Sequence, residues 1–189
     1  MRIETYRDGL PGHLRTQVHR LQDEAWPPEG EGTYGHDPLL RPRAMVLVDA
    51  DGTVLAALDL LFKELRHAGA DWRAAGLSTV VTRTAARGRG HGRRLVAAAR
   101  EALAADGETE VGLFTCDRPL RGFYEGAGWT ELPGSVLVGG TPADPFPSDR
   151  PGFDKVTMGG FFTERARAAR AGFAHARIGL YPGPVDRLW

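Results

Sequence analysis

The sequence predicts a mixed α/β sheet with helices on both faces, built as a single domain over residues 1–189. Three observations carry this. A turn signal between two apolar runs marks an antiparallel hairpin early in the chain. A strand, a glycine-rich turn, an amphipathic helix and another strand then follow in that order, which is a crossover unit. Finally, 189 residues with 42% hydrophobic and 25% charged content suffice to bury a core on both faces of a sheet.

Residues 1–6 read as a short first strand. Residues 13–26 read as a helix, because Leu14, Val18, Leu21 and Ala25 recur at helical spacing. Pro27-Pro28 ends it, since neither proline offers an N–H. A polar loop, 29–38, follows. Runs 44–48 and 53–65 bracket Asp49-Ala50-Asp51-Gly52, whose Asp-Gly step closes the hairpin. A strand at 75–82 comes after a short polar connection.

Residues 90–105 place Leu95, Ala99 and Leu103 on one helical face, which stops near Gly107. A strand at 110–115, a helix at 119–125 and strands near 135–138 and 155–161 complete the sheet. Between the last two strands, Pro142, Pro145, Pro147 and Pro151 exclude a helix, so 141–154 is expected to be an insertion lying over a surface. Residues 163–189 form a C-terminal tail.

Formal net charge is zero and the pI near 7.0, which lacks the sustained basic field that nucleic acid or an anionic membrane would require. The single Cys116 excludes an internal disulfide and any multi-thiolate zinc site. The six histidines form no H-x-x-x-H pair, so no metal is expected. The first residues carry charge where a signal peptide needs an apolar stretch, and no run reaches the roughly 20 apolar residues of a membrane span. A cytoplasmic protein is expected.

The most informative segment is Arg87-Gly88-Arg89-Gly90-His91-Gly92, which joins a strand to a helix. Glycines at alternate positions remove Cβ atoms that would hold a phosphate off the backbone. The first amides of the helix lack intrahelical acceptors and point outward with the positive end of the dipole. With nearby arginines they form an anion site. No Gly-Lys-Ser/Thr follows, which excludes a Walker loop. The glycines read G-x-G-x-G rather than G-x-G-x-x-G, and Glu110 precedes its strand instead of following it, so the dinucleotide fingerprint is also absent.

At these residues the sequence resembles the GNAT superfamily of N-acetyltransferases, whose signature is a V-x-V strand followed by Q/R-x-x-G-x-G/A. Val80-Val81-Thr82 and the segment from Arg87 to Gly92 match it, with Thr82 replacing the second valine and Thr84 standing where proline is frequent. A second, independent motif, Phe123-Tyr124-Glu125-Gly126-Ala127-Gly128-Trp129, resembles the family's aromatic-Tyr-Glu-x-x-Gly-aromatic run.

The resemblance implies a GNAT-like fold, a mostly antiparallel sheet splayed at a central parallel pair, and acetyl-CoA as co-substrate. It implies that Arg87, Gly88, Arg89, Gly90, His91 and Gly92, with Arg93 in the first helical turn, hold the coenzyme A diphosphate. Val80, Val81 and Thr82 would pair with the pantetheine arm, and backbone N–H groups near Val81 and Thr82 would stabilise the oxyanion.

Amide formation from a thioester needs a neutral amine, donors for the oxyanion and a proton for the departing thiolate. Tyr124 is the candidate acid, its phenol being of roughly similar basicity to a thiolate. The base is open. Ser78 stands where relatives carry an acid on the central strand. Asp59, Glu64, His67 and Asp71 are near in sequence, and Asp59 and Lys63 share strand parity as a surface pair would. A water chain, or an amine arriving deprotonated, would serve equally. Cys116 has no accompanying His–Asp arrangement, so direct attack is expected instead of a thiol nucleophile.

From about residue 40 onward the layout is similar to aminoglycoside 2′-N-acetyltransferases. The near-continuous hairpin and strand over 53–82 carry this, with Trp129 followed by Gly134-Ser135-Val136-Leu137, and the terminus Asp186-Arg187-Leu188-Trp189. That resemblance implies a cationic acceptor near the terminus. Ser78, Thr115, Asp186 and Trp189 are therefore the candidate acceptor-binding residues. The acceptor is expected to be a small polar amine, with an amino sugar or biosynthetic amine as the alternative where charge falls short of an aminoglycoside's needs. Nodulation-type acyltransferases share some layout around 38–48, which keeps a longer acyl donor open. The rivals are acylation of a peptide N-terminus and a CoA-sensing module without turnover. A homodimer is the candidate assembly.

Overall fold

The computed structural model describes residues 1–27, 35–185 and 188. Its strands are β1 (Arg2–Tyr6), β2 (Arg43–Val48), β3 (Val54–His67), β4 (Ala70–Thr82), β5 (Val111–Asp117), β6 (Thr130–Glu131), β7 (Val136–Gly140), β8 (Pro145–Pro147), β9 (Lys155–Phe161) and β10 (Arg177–Gly179). The helices are α1 (Gly12–Ala25), α2 (His91–Ala105), α3 (Arg121–Glu125) and α4 (Glu164–Ala169). The main sheet has the order β1-β2-β3-β4-β5-β9-β6, and a second sheet the order β10-β7-β8.

β3 and β4 form a long hairpin closed by Ala68 and Gly69, whose φ angles of 49° and 77° suit a two-residue turn. The polar connection expected before residue 75 is therefore strand. Arg66, Asp71 and Arg73 point outward, while Leu65, Trp72 and Ala74 are buried, the period-2 alternation of a half-buried strand.

β4 and β5 are parallel, as a crossover through α2 requires, but they pair only at Ala74↔Val111 and Ala75↔Gly112. Beyond that point the strands part, leaving a slit in the middle of the sheet. The expected fold, a mostly antiparallel sheet splayed at a parallel pair, is what the strand pairings show.

Each face carries its own core. On one face α2 packs Leu95, Val96, Ala99 and Leu103 against Leu58, Leu60, Leu77, Phe114 and Met158. Burying each Leu or Val there contributes about 1.5–3 kcal/mol. On the other face α1 packs Leu14, Val18 and Leu21 on Val46, Val54, Ala57 and Val81 at one end. At the far end of that face a third cluster joins Leu65, Trp72, Val111 and Leu113 to Phe173, Ile178, Leu180 and Leu188.

Gly112 and Gly160 pair in register and leave room for the Trp129 indole: a Cβ on Gly112 would lie 2.5 Å from the ring, and one on Gly160 3.0 Å away.

Three expectations change. The strand near 135–138 is β7, which does not join the main sheet; β6 takes the place beside β9. The insertion contributes β8 to the edge of the second sheet, where proline costs no ladder bond to a further neighbour. The described residues of the tail are folded, through α4 and a 3-10 turn at Arg170–Phe173 into β10, because their apolar side chains cover the far end of the α1 face. Thr163 caps α4 by accepting the Ala166 N–H at 3.2 Å.

Candidate active site

The glycine-rich turn leads from a 3-10 turn at Thr84–Ala86 into α2. Gly88 and Gly90 take φ angles of 77° and 78°, which favour glycine, and a Cβ on either would meet open space. Gly90 caps α2 with no side-chain acceptor, and the first turn holds no acid, so the outward amides stay available to an anion. Arg87, Arg89, Arg93 and Arg94 are exposed around it, and His91 is half-buried at the helix start. Arg87 ties the turn back to β4 by donating from Nε to the Thr82 carbonyl at 3.2 Å.

Gly92 has a different function from the one its spacing suggests. A Cβ there would lie 2.4 Å from Thr82 Oγ1 and 3.3 Å from Phe123, so this glycine lets α2 sit close on β4 and α3 and does not open the phosphate cradle. Arg93 lies against Gly126 at the end of α3.

Along β4 the register passes from Ala57↔Val81 to Asp59↔Ser78, so β4 carries one residue more than β3 over that step. The extra residue is Thr79, at φ 49°. A β-branched residue in this region stores roughly 1–3 kcal/mol of strain. The bulge also reverses the alternation: Leu77 and Val80 both pack on the α2 face, whereas Val81 packs under α1.

On the α1 face, beside the slit, the bulge meets Asp59. Asp59 Oδ2 accepts a hydrogen bond from Thr79 Oγ1 at 2.7 Å and lies 3.2 Å from His36 Nε2. The His36 and Asp59 side chains retain 12% and 18% of their exposure, sheltered but reachable. The surface pair expected between Asp59 and Lys63 does not form. Lys63 turns its ammonium to the carbonyls of Leu180, Pro182 and Pro184, under the C-terminal strap, and Asp59 is left for Thr79 and His36. Burial of Lys63 holds its pKa below the ordinary lysine value.

Tyr124 lies on the opposite face, in the α2 core, with its ring 4.9 Å from those of Phe114 and Phe123. It is 6% exposed. Burial, then the neighbouring Cys116 and Asp117, pushes its phenol above the ordinary value, so it stays protonated at neutral pH. Cys116 belongs to β5 itself, and burial followed by Asp117 pushes its thiol up to about 12. A neutral thiol is a poor nucleophile.

Of the candidate residues, Val80, Val81 and Thr82 line the β4 side of the slit, continuous with the turn from Arg87 to Gly92. Ser78 is buried opposite Asp59, and Thr115, paired with Thr157, shares the α1 face by alternation with Val111 and Leu113. Asp186 and Trp189 lie outside the described residues, as does most of the loop expected at 29–38.

The other proposed base candidates are engaged elsewhere. His67 Nε2 is 2.8 Å from the Gly172 carbonyl, and Asp71 is exposed beside Arg66. Glu64 is exposed across from Arg73. His36 was not among the candidates, and no sequence signal marks it: it is separated from Asp59 by 23 residues and reaches it only because the turn at Pro38–Leu40 packs on β3.

A sheet parted at a parallel pair, with a glycine-rich helix start at the mouth of the parting, is the architecture of an acyl-CoA transferase. Residues 13–132 match the family model described as an acetyltransferase (GNAT) domain. The chain belongs to that family and is an acyl-CoA-dependent N-acyltransferase.

Among solved structures, it is similar to an acyl-CoA N-acyltransferase from Pseudomonas aeruginosa, 20% identical over 84% of this chain and 99% of that one, with a TM-score of 0.54. An aminoglycoside 6′-N-acetyltransferase complexed with coenzyme A is 16% identical over 87% and 99% of the two chains, TM-score 0.56. The GNAT-family N-acetyltransferase YhbS from Escherichia coli, in complex with CoA, is 16% identical over 88% and 74%, TM-score 0.51. No curated protein matches the sequence. Among the described residues no helix is long and apolar enough to cross a membrane.

Proposed function

We propose that the protein moves an acetyl group from acetyl-CoA to a small polar amine by direct attack in a ternary complex. One observation carries the reading: polar chemistry stands on both sides of a single slit. Tyr124 is on the α2 face, where a cofactor anchored at the turn from Arg87 to Gly92 would deliver its sulfur. Asp59, Thr79, Ser78 and Thr115 are on the α1 face, where an acceptor would enter. Two substrates meeting at one opening from opposite faces need no covalent enzyme intermediate.

The diphosphate would rest on the amides at Gly88, Gly90 and the first turn of α2, and the pantetheine arm would run along Thr82, Val81 and Val80 to the bulge. Tyr124 would then give its proton to the departing thiolate. An aminoglycoside-like acceptor is supported by the resemblance of the later chain to aminoglycoside 2′-N-acetyltransferases and by a fold shared with an aminoglycoside 6′-enzyme. An amino sugar or biosynthetic amine fits the same polar face.

A thiol-release assay with acetyl-CoA against aminoglycosides, simple amino sugars, polyamines and peptides tests this. Turnover confined to small amines supports it. Turnover confined to peptides moves the assignment to N-terminal acylation, and acetyl-CoA binding without turnover on any class moves it to a sensor.

A further inference from the structure

Resting on the acetyltransferase reading, we propose that Asp59 selects the acceptor: its carboxylate takes an ammonium group, so that the enzyme favours amines that arrive positively charged.

Backbone places the side chain. On β3, Leu58 and Leu60 pack on the α2 face and Ala57 packs under α1, so alternation turns Asp59 to the α1 face. Asp59 stands between Ala44 of β2 and Ser78 of β4, at the step where β4 bulges.

The carboxylate is sheltered, with 18% of its exposure left, yet no arginine or lysine among the described residues pairs with it. Its partners there are a hydroxyl and an imidazole, and both reach the same oxygen. Thr79 Oγ1 donates to Oδ2 at 2.7 Å, and His36 Nε2 lies 3.2 Å from it. Oδ1 takes no hydrogen bond from a described residue. Elsewhere on the sheet a sheltered carboxylate is given its cations: Glu110, with 9% of its exposure left, meets Arg73 and Arg165. Lys63 shares the parity of Asp59 on β3 but is committed to the carbonyls of Leu180, Pro182 and Pro184. A carboxylate withdrawn from water is costly unless it is paired and fully hydrogen-bonded. Asp59 thus keeps one oxygen for an ammonium that the fold itself does not supply.

Thr79 shows that the carboxylate is held deliberately. Its φ of 49° is strained for a β-branched residue, and a glycine would adopt it freely. What threonine adds at that position is the hydroxyl that fixes Asp59.

The ligand chemistry follows from charge and donors. An ammonium presents only donors and carries the charge that a carboxylate lacks, whereas a hydroxyl or an arylamine is neutral. Polyamines, amino sugars and aminoglycosides belong to the favoured class, and arylamines do not.

The test compares wild type, Asp59→Asn, Thr79→Val and Thr79→Ser with spermidine, glucosamine and tobramycin as acceptors. Asp59→Asn should raise the KM of those acetylated about 10–100-fold, more than it lowers kcat, with acetyl-CoA affinity unchanged. Thr79→Val keeps the backbone strain and removes the hydroxyl, and should raise KM about 3–10-fold; Thr79→Ser should recover most of that loss. These two read the same contact should Asp59→Asn not fold. With wild type, 4-methoxyaniline, uncharged at neutral pH, should have a kcat/KM at least about tenfold below that of the best charged acceptor. An Asp59→Asn KM within about threefold of wild type, no rise in Thr79→Val, or an arylamine used as well as the charged amines would overturn the proposal and leave the acetyltransferase reading intact.

If acetyl-CoA binds and no amine is acetylated, the acetyltransferase reading has failed, and calorimetry with CoA present still decides Asp59. Spermidine, glucosamine or tobramycin should bind wild type and lose about 10–100-fold in affinity in Asp59→Asn. Wild type that binds none of the three, or Asp59→Asn that binds them equally well, would sink the assignment.

Discussion

The phenol of Tyr124 and the thiol of Cys116 sit side by side in the α2 core and are kept neutral by the same burial. For Cys116 this means inertness. Native protein should react with iodoacetamide at pH 8 at least tenfold more slowly than unfolded protein, measured by mass spectrometry. Tyr124 keeps its proton, and if it acts as the proposed acid, Tyr124→Phe should lower kcat for thiol release about 10–10³-fold while acetyl-CoA still binds. The raised phenol pKa also predicts that Tyr124 adds no descending limb to the pH–rate profile below pH 10. Gly92→Ala places a methyl group 2.4 Å from Thr82 Oγ1 and should cost roughly 1–3 kcal/mol in denaturant unfolding, because both the helix and the strand are fixed by their cores.

Among the elements, α2 was the most legible in the sequence. Its apolar stripe and preceding glycines are local signals, and it begins at His91 with Gly90 as its cap. The C-terminal strap was the least legible: residues 177–185 carry no strong period, and their place is set by β7, which pairs with β10, and by Lys63, far upstream in the chain. Lys63 holds this strap through the carbonyls of Leu180, Pro182 and Pro184. Lys63→Met leaves those carbonyls without their donor. It should destabilise the protein by about 1–2 kcal/mol and raise hydrogen exchange selectively at 178–185.

For the molecule as a whole, Glu110 couples the crossover to the tail. Its carboxylate takes the Arg73 N–H at 3.2 Å and the Arg165 guanidinium at 2.7 Å. Burial works against its charge, but those hydrogen bonds and the two positive charges outweigh it and hold the carboxyl below the ordinary 4.5. A depressed carboxyl contributes stability above its ordinary value and loses it as pH falls through the folded one. Wild-type Tm should therefore fall more steeply below pH 4.5 than that of Glu110→Gln. Acetyl-CoA at a hundred times its Kd should stabilise the fold by about 2.7 kcal/mol and protect amides near 79–82 and 88–93.

The sequence by itself determined the elements that the proposed function assigns to the acyl donor. The helix start at Arg87–Gly92, the strand before it and Tyr124 are contiguous motifs, and local chain geometry converts them directly into a turn, a dipole and a buried phenol. Only the tertiary structure decided the polar face on the α1 side of the slit, which the proposed function assigns to the acceptor. A one-residue bulge at Thr79 resets which β4 side chains face α1, and Lys63 leaves Asp59 for the strap. His36 arrives from another segment to meet Asp59. Each depends on register and on contacts distant in sequence, and a periodic pattern carries no trace of those.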